Sequence, residues 1–182
     1  MDVIRLDDKE FVKFIPHGKI LSAVEKLARQ VEKDTSDVPV FVVVLKGGMI
    51  FASDFAKAYK KPAIFDFIRV KSYRDTRSTG EVKVLLDISE DIRGKEVYVL
   101  EDIVDTGNTL GKIIEMLEKH QPAFVKIVTL FFKPEAYKKD HPVHFTGMEI
   151  PNKFIVGYGL DYNELGRNLQ DIYQLKTDES EA

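Results

Sequence analysis

The chain is predicted to be an α/β protein: a doubly wound, mostly parallel sheet with flanking helices, a flexible antiparallel flap and a small hood subdomain. Three observations point there. Residues 38–45 and 125–130 are nearly unbroken apolar runs of strand length, the pattern of strands covered on both faces. Stripes of apolar residues at helical spacing separate such runs, so strand and helix alternate along the chain. Small-residue turns such as Lys46-Gly47-Gly48 directly follow the strands. At 182 residues the chain fits one domain over 1–182, large enough to bury a full core.

Residues 1–17 mix charged and apolar side chains up to Pro16-His17-Gly18 and form an arm or short edge element. Ile20, Leu21, Val24, Leu27, Ala28 and Val31 then recur with a 3.6-residue period, with Lys19, Glu25, Lys26 and Arg29 off the stripe, which predicts a helix. Pro39 fits only the start of the 38–45 strand, where a ladder donor is dispensable. Ile50, Phe51, Phe55, Ala58 and Tyr59 mark a second helix, and Asp54 within that spacing requires an edge position or a polar partner. Residues 63–70 and 81–87 read as strands around the polar loop 71–80. That loop is long for a tight hairpin and reads as a mobile flap.

Residues 97–100 form a further strand, and Leu110, Ile113, Ile114 and Leu117 the apolar face of a third helix. After the 125–130 strand comes a long connection, 133–153, expected to belong to a small subdomain over the sheet edge. The hood would combine the N-terminal arm with parts of 134–176. Residues 154–158 read as a short strand before the loop 159–163, and the tail 177–182 as dispensable.

Bulk properties exclude several classes. A formal charge of −3 gives no general draw toward nucleic acid. No apolar run approaches membrane-span length, and Met1-Asp2-Val3-Ile4-Arg5 lacks the form of a secretory signal, so a cytoplasmic protein without membrane partners is expected. The absence of cysteine rules out disulfides, thiolate catalysis and zinc–thiolate centres. The four histidines are too scattered to suggest a metal site.

The densest chemistry lies in residues 97–110: a hydrophobic strand, the acids Glu101, Asp102 and Asp105, a small-residue turn, and the start of an amphipathic helix. Thr106, Gly107, Asn108 and Thr109 offer backbone N–H groups and hydroxyls to a phosphate, and Gly107 lets the backbone approach closely. Carboxylates on the approach suit a sugar's hydroxyls or a metal-bound polyanion, so a phosphorylated sugar is a better match than a bare anion. Helix capping by Asp105 and Thr106 is the simpler alternative, but it accounts for neither Glu101 nor Asp102. Walker A and GxGxxG patterns are absent.

Residues 101–110 resemble the phosphoribosyl-pyrophosphate motif of the type I phosphoribosyltransferases. Val44-Leu45-Lys46-Gly47-Gly48, Ser72-Tyr73 with Ser78-Thr79-Gly80, and 149–154 running on through Gly157-Tyr158-Gly159-Leu160-Asp161-Tyr162-Asn163 narrow the likeness to the hypoxanthine or hypoxanthine-guanine branch. It extends over about residues 38–175. The resemblance implies transfer of a phosphoribosyl group from phosphoribosyl pyrophosphate to N9 of a 6-oxopurine, with Mg2+, in a homodimer or homotetramer.

The resemblance also implies roles. Glu101 and Asp102 would contact the ribose–metal assembly, with Asp161 the ligand of a second magnesium. Asp105, Thr106, Gly107, Asn108 and Thr109 would hold the 5′-phosphate, and Asp105 would serve the base at N7 as general base or hydrogen-bond acceptor. Lys46, Gly47 and Arg167 would meet pyrophosphate, in a loop whose Leu45–Lys46 peptide is cis in the family. Glu164-Leu165-Gly166, ahead of Arg167, is less typical of it. Lys133 would donate to O6, Phe154 would stack on the base, and backbone carbonyls near Ile155 and Asp161 would face C2. Ser72 and Tyr73 belong to the flap, to which Arg74 and Arg77 add positive charge. A sensor without chemistry would not require Lys133, Phe154 and Asp161 beside the phosphate turn.

Overall fold

Ten strands and three helices follow one another in a computed structural model that describes residues 2–72 and 82–177. They are β1 (Val3–Leu6), β2 (Lys9–Ile15), α1 (His17–Asp34), β3 (Val40–Leu45), α2 (Gly48–Ala58), β4 (Ile64–Ser72) and β5 (Val82–Leu86). There follow β6 (Glu96–Val104), α3 (Asn108–Glu118), β7 (Phe124–Phe132), β8 (Phe145–Glu149), β9 (Ile155–Val156) and β10 (Ile172–Leu175). Tyr73, Arg74, Arg77 and Ser78-Thr79-Gly80 of the expected flap, and residues 178–182 of the tail, lie outside the described residues.

The main sheet has the order β5-β4-β3-β6-β7-β8, parallel throughout except for the antiparallel β4–β5 pair. β3 shows why its sequence had to be apolar on both faces. Phe41 and Val43 enter the core with α1 and α2, while Val40, Val42 and Val44 enter the core with α3. Each such buried side chain contributes roughly 1.5–3 kcal/mol. Phe41 also meets Phe55 and Tyr59 edge-on, at 5.1 and 5.0 Å between ring centroids. The expected polar partner of Asp54 is Tyr158, whose hydroxyl donates to it at 2.6 Å across to α2.

From β3 the chain winds outward to β4, and from β6 it winds the other way to β7. The strand order therefore reverses between β3 and β6, and the loops leaving their carboxyl ends diverge to open a crevice. Both motif-bearing loops, starting at Lys46 after β3 and at Asp105 after β6, leave the sheet at this place.

The second sheet, β1-β2-β10-β9, is antiparallel and closes on a small core of Phe11, Val156 and Tyr173. The N-terminal arm is thus a hairpin within a sheet. Two expectations are corrected. Residues 133–153 do not all belong to a separate subdomain, because β8 pairs with β7 and extends the main sheet. Its residues are only partly buried, as suits an edge strand, so no apolar run announces it. The expected strand at 154–158 shortens to β9 and joins the second sheet. Positive φ at Gly157 (101°), Tyr158 (47°) and Gly159 (102°) ends its extended backbone.

The return from β5 to β6 is held by Asp66, 6% exposed on β4. Its carboxylate accepts from the N–H groups of Phe67 (2.8 Å), Ser89 (2.7 Å) and Glu90 (2.9 Å). Burial pushes this carboxyl up, but the backbone donors more than offset it and hold it below the usual 3.8. A depressed folded-state pKa contributes stability above the unfolded value and loses it as pH falls through the folded one. Asp66→Asn should therefore destabilise the protein at neutral pH by about 1–3 kcal/mol. Urea melts from pH 7 to pH 3 should show the gap between parent and variant narrowing below about pH 4. A gap that stays constant would refute this account.

Candidate active site

β6 persists past residue 100, so Glu101 and Asp102 lie within a strand and alternate in direction. Asp102, 5% exposed, turns toward α2, where a methyl group added at Gly47 would overlap its Oδ2. Its Oδ1 accepts from the N–H of Ile103 at 2.8 Å. Glu101 instead lines a cavity of about 160 Å³ with Ile103, Val104 and residues 105–110. Burial, then the neighbouring Asp102 charge, pushes the Glu101 carboxyl well up. Asp102 is also raised by burial, although Glu101, the Ile103 N–H and Arg167 all pull it the other way. Two adjacent acids in that condition, Asp102 buried and Glu101 half-buried, suit a cation.

The turn after β6 is shaped by Gly107, at φ 78°, which precedes α3. No side chain caps this helix, so the capping alternative for Asp105 and Thr106 does not hold. The first helical bond, from the N–H of Gly111 to the carbonyl of Gly107 at 3.0 Å, leaves the leading N–H groups without helical acceptors. Thr106 and Asn108 are exposed on the cavity side. Tyr137 and Lys139 cover Gly107 from the loop after β7; a Cβ there would come within 2.5 Å of the Tyr137 ring and 2.9 Å of Lys139 Cγ. Tyr137 is in turn anchored through its hydroxyl, which donates to the carbonyl of His141 at 2.5 Å. Sequence reasoning missed this cover; the pair Lys138-Lys139 was the signal available.

Lys133 stands at the end of β7, its N–H donating to the carbonyl of Val104 at 3.0 Å. Its ammonium, 5% exposed as a residue, lies 3.0 Å from Asp105 Oδ2. A second cavity of about 350 Å³ shares Asp105, Thr106 and Asn108 with the first and adds Glu135, Ala136, Lys138, Lys139 and Asn152. Such a size suits a small ligand. Phe154 is 47% exposed, with ring contacts to Phe11 at 6.3 Å and Tyr162 at 6.0 Å. No described contact joins it to Lys133 or Asp105. Ile155 is buried in β9.

On the other wall of the crevice the Leu45–Lys46 peptide is cis, as the family resemblance implied. Gly159 abuts this loop so tightly that a Cβ would overlap the carbonyl oxygen of Gly47. Lys46 Nζ lies 2.8 Å from Glu164 Oε2, and Arg167 Nη2 lies 3.3 Å from the same oxygen. Arg167 also pairs with Asp161 Oδ1 at 2.7 Å and donates from Nη1 to the carbonyl of Gly159 at 2.8 Å. Lys46, Arg167 and Asp161 thus converge, with Glu164 as a fourth member that the sequence reading left without a role. Ser72 closes β4 opposite Val82, and Tyr73 lies outside the described residues. Among the described residues no three acids or histidines gather closely enough to cage a metal ion. Magnesium characteristically takes one or two carboxylates and fills its remaining positions with water and substrate oxygens, so the Glu101–Asp102 pair fits that habit.

The model of the phosphoribosyl transferase domain matches residues 14–163. A hypoxanthine-guanine phosphoribosyltransferase of Bos taurus is 41% identical over 170 residues, covering 87% of this chain and 78% of its own. A hypoxanthine phosphoribosyltransferase of Salmonella typhimurium is 41% identical over 159 residues, covering 85% and 89%. The crystal structure of a hypoxanthine-guanine phosphoribosyltransferase from Bacillus anthracis superposes with a TM-score of 0.86 at 38% identity, covering 94% of this chain and all of that one. With the crevice, the turn ahead of α3 and these likenesses coinciding, the chain belongs to the hypoxanthine and hypoxanthine-guanine phosphoribosyltransferases.

Proposed function

We propose that this crevice transfers the 5-phosphoribosyl group of phosphoribosyl pyrophosphate to N9 of hypoxanthine, and of guanine, releasing pyrophosphate in purine salvage. The observation that carries the assignment is the Lys133–Asp105 pair, a buried donor 3.0 Å from an acceptor at the mouth of the phosphate turn. On a 6-oxopurine, O6 and N7 are adjacent on one edge. Lys133 donating to O6 and Asp105 facing N7 would read that edge, whereas adenine presents an amino donor where Lys133 requires an acceptor.

The rest of the site follows the charges of the reaction. Thr106, Gly107, Asn108 and Thr109 bind the 5′-phosphate with the open end of α3. Lys46, Gly47 and Arg167 hold the pyrophosphate, with the Arg fork suited to its oxygens. Asp105 takes or shares the purine proton as N9 forms its bond to the anomeric carbon. Glu101 and Asp102, and separately Asp161, would hold Mg2+. Held there, the ion would supply a hard positive charge to offset the anionic charge of the leaving group. Phe154, with its ring exposed, would stack on the base, and the carbonyls near Ile155 and Asp161 would face C2. The antiparallel sheet of β1, β2, β9 and β10 forms the hood. A homodimer or homotetramer in the cytoplasm completes this reading.

Initial rates with hypoxanthine, guanine, xanthine and adenine, with and without Mg2+, test the activity directly; product from 6-oxopurines only in the presence of the ion is expected. Asp105→Asn, which keeps a partner beside Lys133, should lower kcat about 10²–10⁴-fold while leaving the melting temperature nearly unchanged. Undiminished turnover would remove Asp105 from the chemistry. Lys133→Gln offers adenine an acceptor, and should shrink the hypoxanthine-to-adenine ratio of kcat/KM by at least about tenfold. An unaltered ratio across the base panel would contradict the O6 assignment.

A further inference from the structure

The Glu164 carboxylate is the one charged group in this cluster that the reaction does not use. It lies in a four-residue turn in which Tyr162 and Leu165 exchange backbone hydrogen bonds at 2.9 Å in both directions. Asn163 and Glu164 occupy the two central positions, at φ 50° and 65°. Such turns favour Asn followed by Gly, because both central residues take the left-handed conformation. Asn163 obeys that preference, and Glu164 does not. A side chain with a Cβ sits where glycine would be at ease, in a conformation that L-residues adopt only at an energetic cost.

What that position achieves is visible in the charges. Lys46 and Arg167, from two different loops, converge on the single oxygen Oε2 of Glu164 at 2.8 and 3.3 Å. A carboxylate paired with two cations in this way is a full negative charge at neutral pH. The Glu164 N–H donates to Asp161 Oδ2 at 2.9 Å, which ties the turn to that carboxylate. Arg167 Nε is buried with no partner among the described residues, so the guanidinium still has a donor to offer. An oxygen shared by a lysine and an arginine, beside a further free donor, is how a phosphate oxygen would be held.

We propose that Glu164 is a resident anion, standing on the pyrophosphate ligands of the free enzyme and exchanged for the pyrophosphate group when substrate binds. It then sets the affinity for phosphoribosyl pyrophosphate and hastens departure of the leaving group by recapturing Lys46 and Arg167. The proposal rests on the reading of those two residues as pyrophosphate ligands. Glu164 is a positioning residue: it touches the ligands of the substrate rather than the reacting atoms. Its side chain is 66% exposed, so it can swing into solvent at little cost to the fold.

Calorimetric titration of inorganic pyrophosphate with Mg2+ into the parent enzyme, Glu164→Gln and Glu164→Gly tests this. Both variants should bind roughly three- to tenfold more tightly, the range left by removing an exposed competing charge. KM for phosphoribosyl pyrophosphate should fall by a similar factor without a rise in kcat. Glu164→Gly relaxes the turn and Glu164→Gln does not, so tighter binding confined to the glycine variant would assign the effect to backbone relief and overturn the proposal. Parent-like or weaker binding by Glu164→Gln would also overturn it, with the pyrophosphate reading intact if the parent binds. Absence of binding by all three proteins would overturn that reading and the proposal together.

Discussion

Three segments meet at Gly47, and the crevice exists because two of them, at Gly47 and Gly159, bring no Cβ to the meeting, which leaves room for the Asp102 side chain of the third. The Asp102 carboxylate of β6 fills the space where a side chain at 47 would begin, and Gly159 presses on the Gly47 carbonyl from the other side. A gap of one methyl group at this junction would separate the loop after β3 from the acids of β6 and from the 157–167 segment. Lys46, Asp102 and Arg167 could not then share one crevice. Close packing at that point ties the reversal of strand order in the sheet to the chemistry of its loops.

The parts of the fold legible in the sequence are those buried on two faces. β3, β6 and β7 carry continuous apolar runs because helices cover both sides, and α1 and α3 show their buried residues at the expected spacing. Edge strands leave weaker traces. β8 mixes half-buried residues with exposed Glu149, and β9 is two residues long, so each depends on a neighbour's hydrogen bonds rather than on a pattern of its own. The N-terminal hairpin belongs to the same class: it is held by pairing with β10, about 160 residues away in sequence, a partner that no local window contains.

Near the site, the turn ahead of α3 that the residues announced is present, and so is the cis Leu45–Lys46 peptide that the family resemblance implied. The misses are relations between motifs. Lys133 and Asp105 are separated by 28 positions, and Lys46 and Glu164 by 118, so neither ion pair could be deduced from spacing. Glu164 was read only as part of the segment 164–166, less typical of the family ahead of Arg167, and nothing in that reading announced its contacts. Tyr137 gave no sign at all, because a loop residue that roofs a glycine has no periodicity to betray it. Phe154 remains the residue whose role depends most on the family likeness, its described ring contacts being to Phe11 and Tyr162.

The union of Lys133 with Asp105 has a consequence for how visitors are sorted. An ammonium and a carboxylate side by side cancel at a distance, so from outside the recess exerts little net pull on either anions or cations. Only at contact range does it become a two-letter signature, one proton offered and one accepted in fixed order. On the proposed reading of this pair, a flat neutral heterocycle would be sorted by the sequence of its edge atoms after arrival, while long-range attraction would be left to the polyphosphate substrate and the opposite wall.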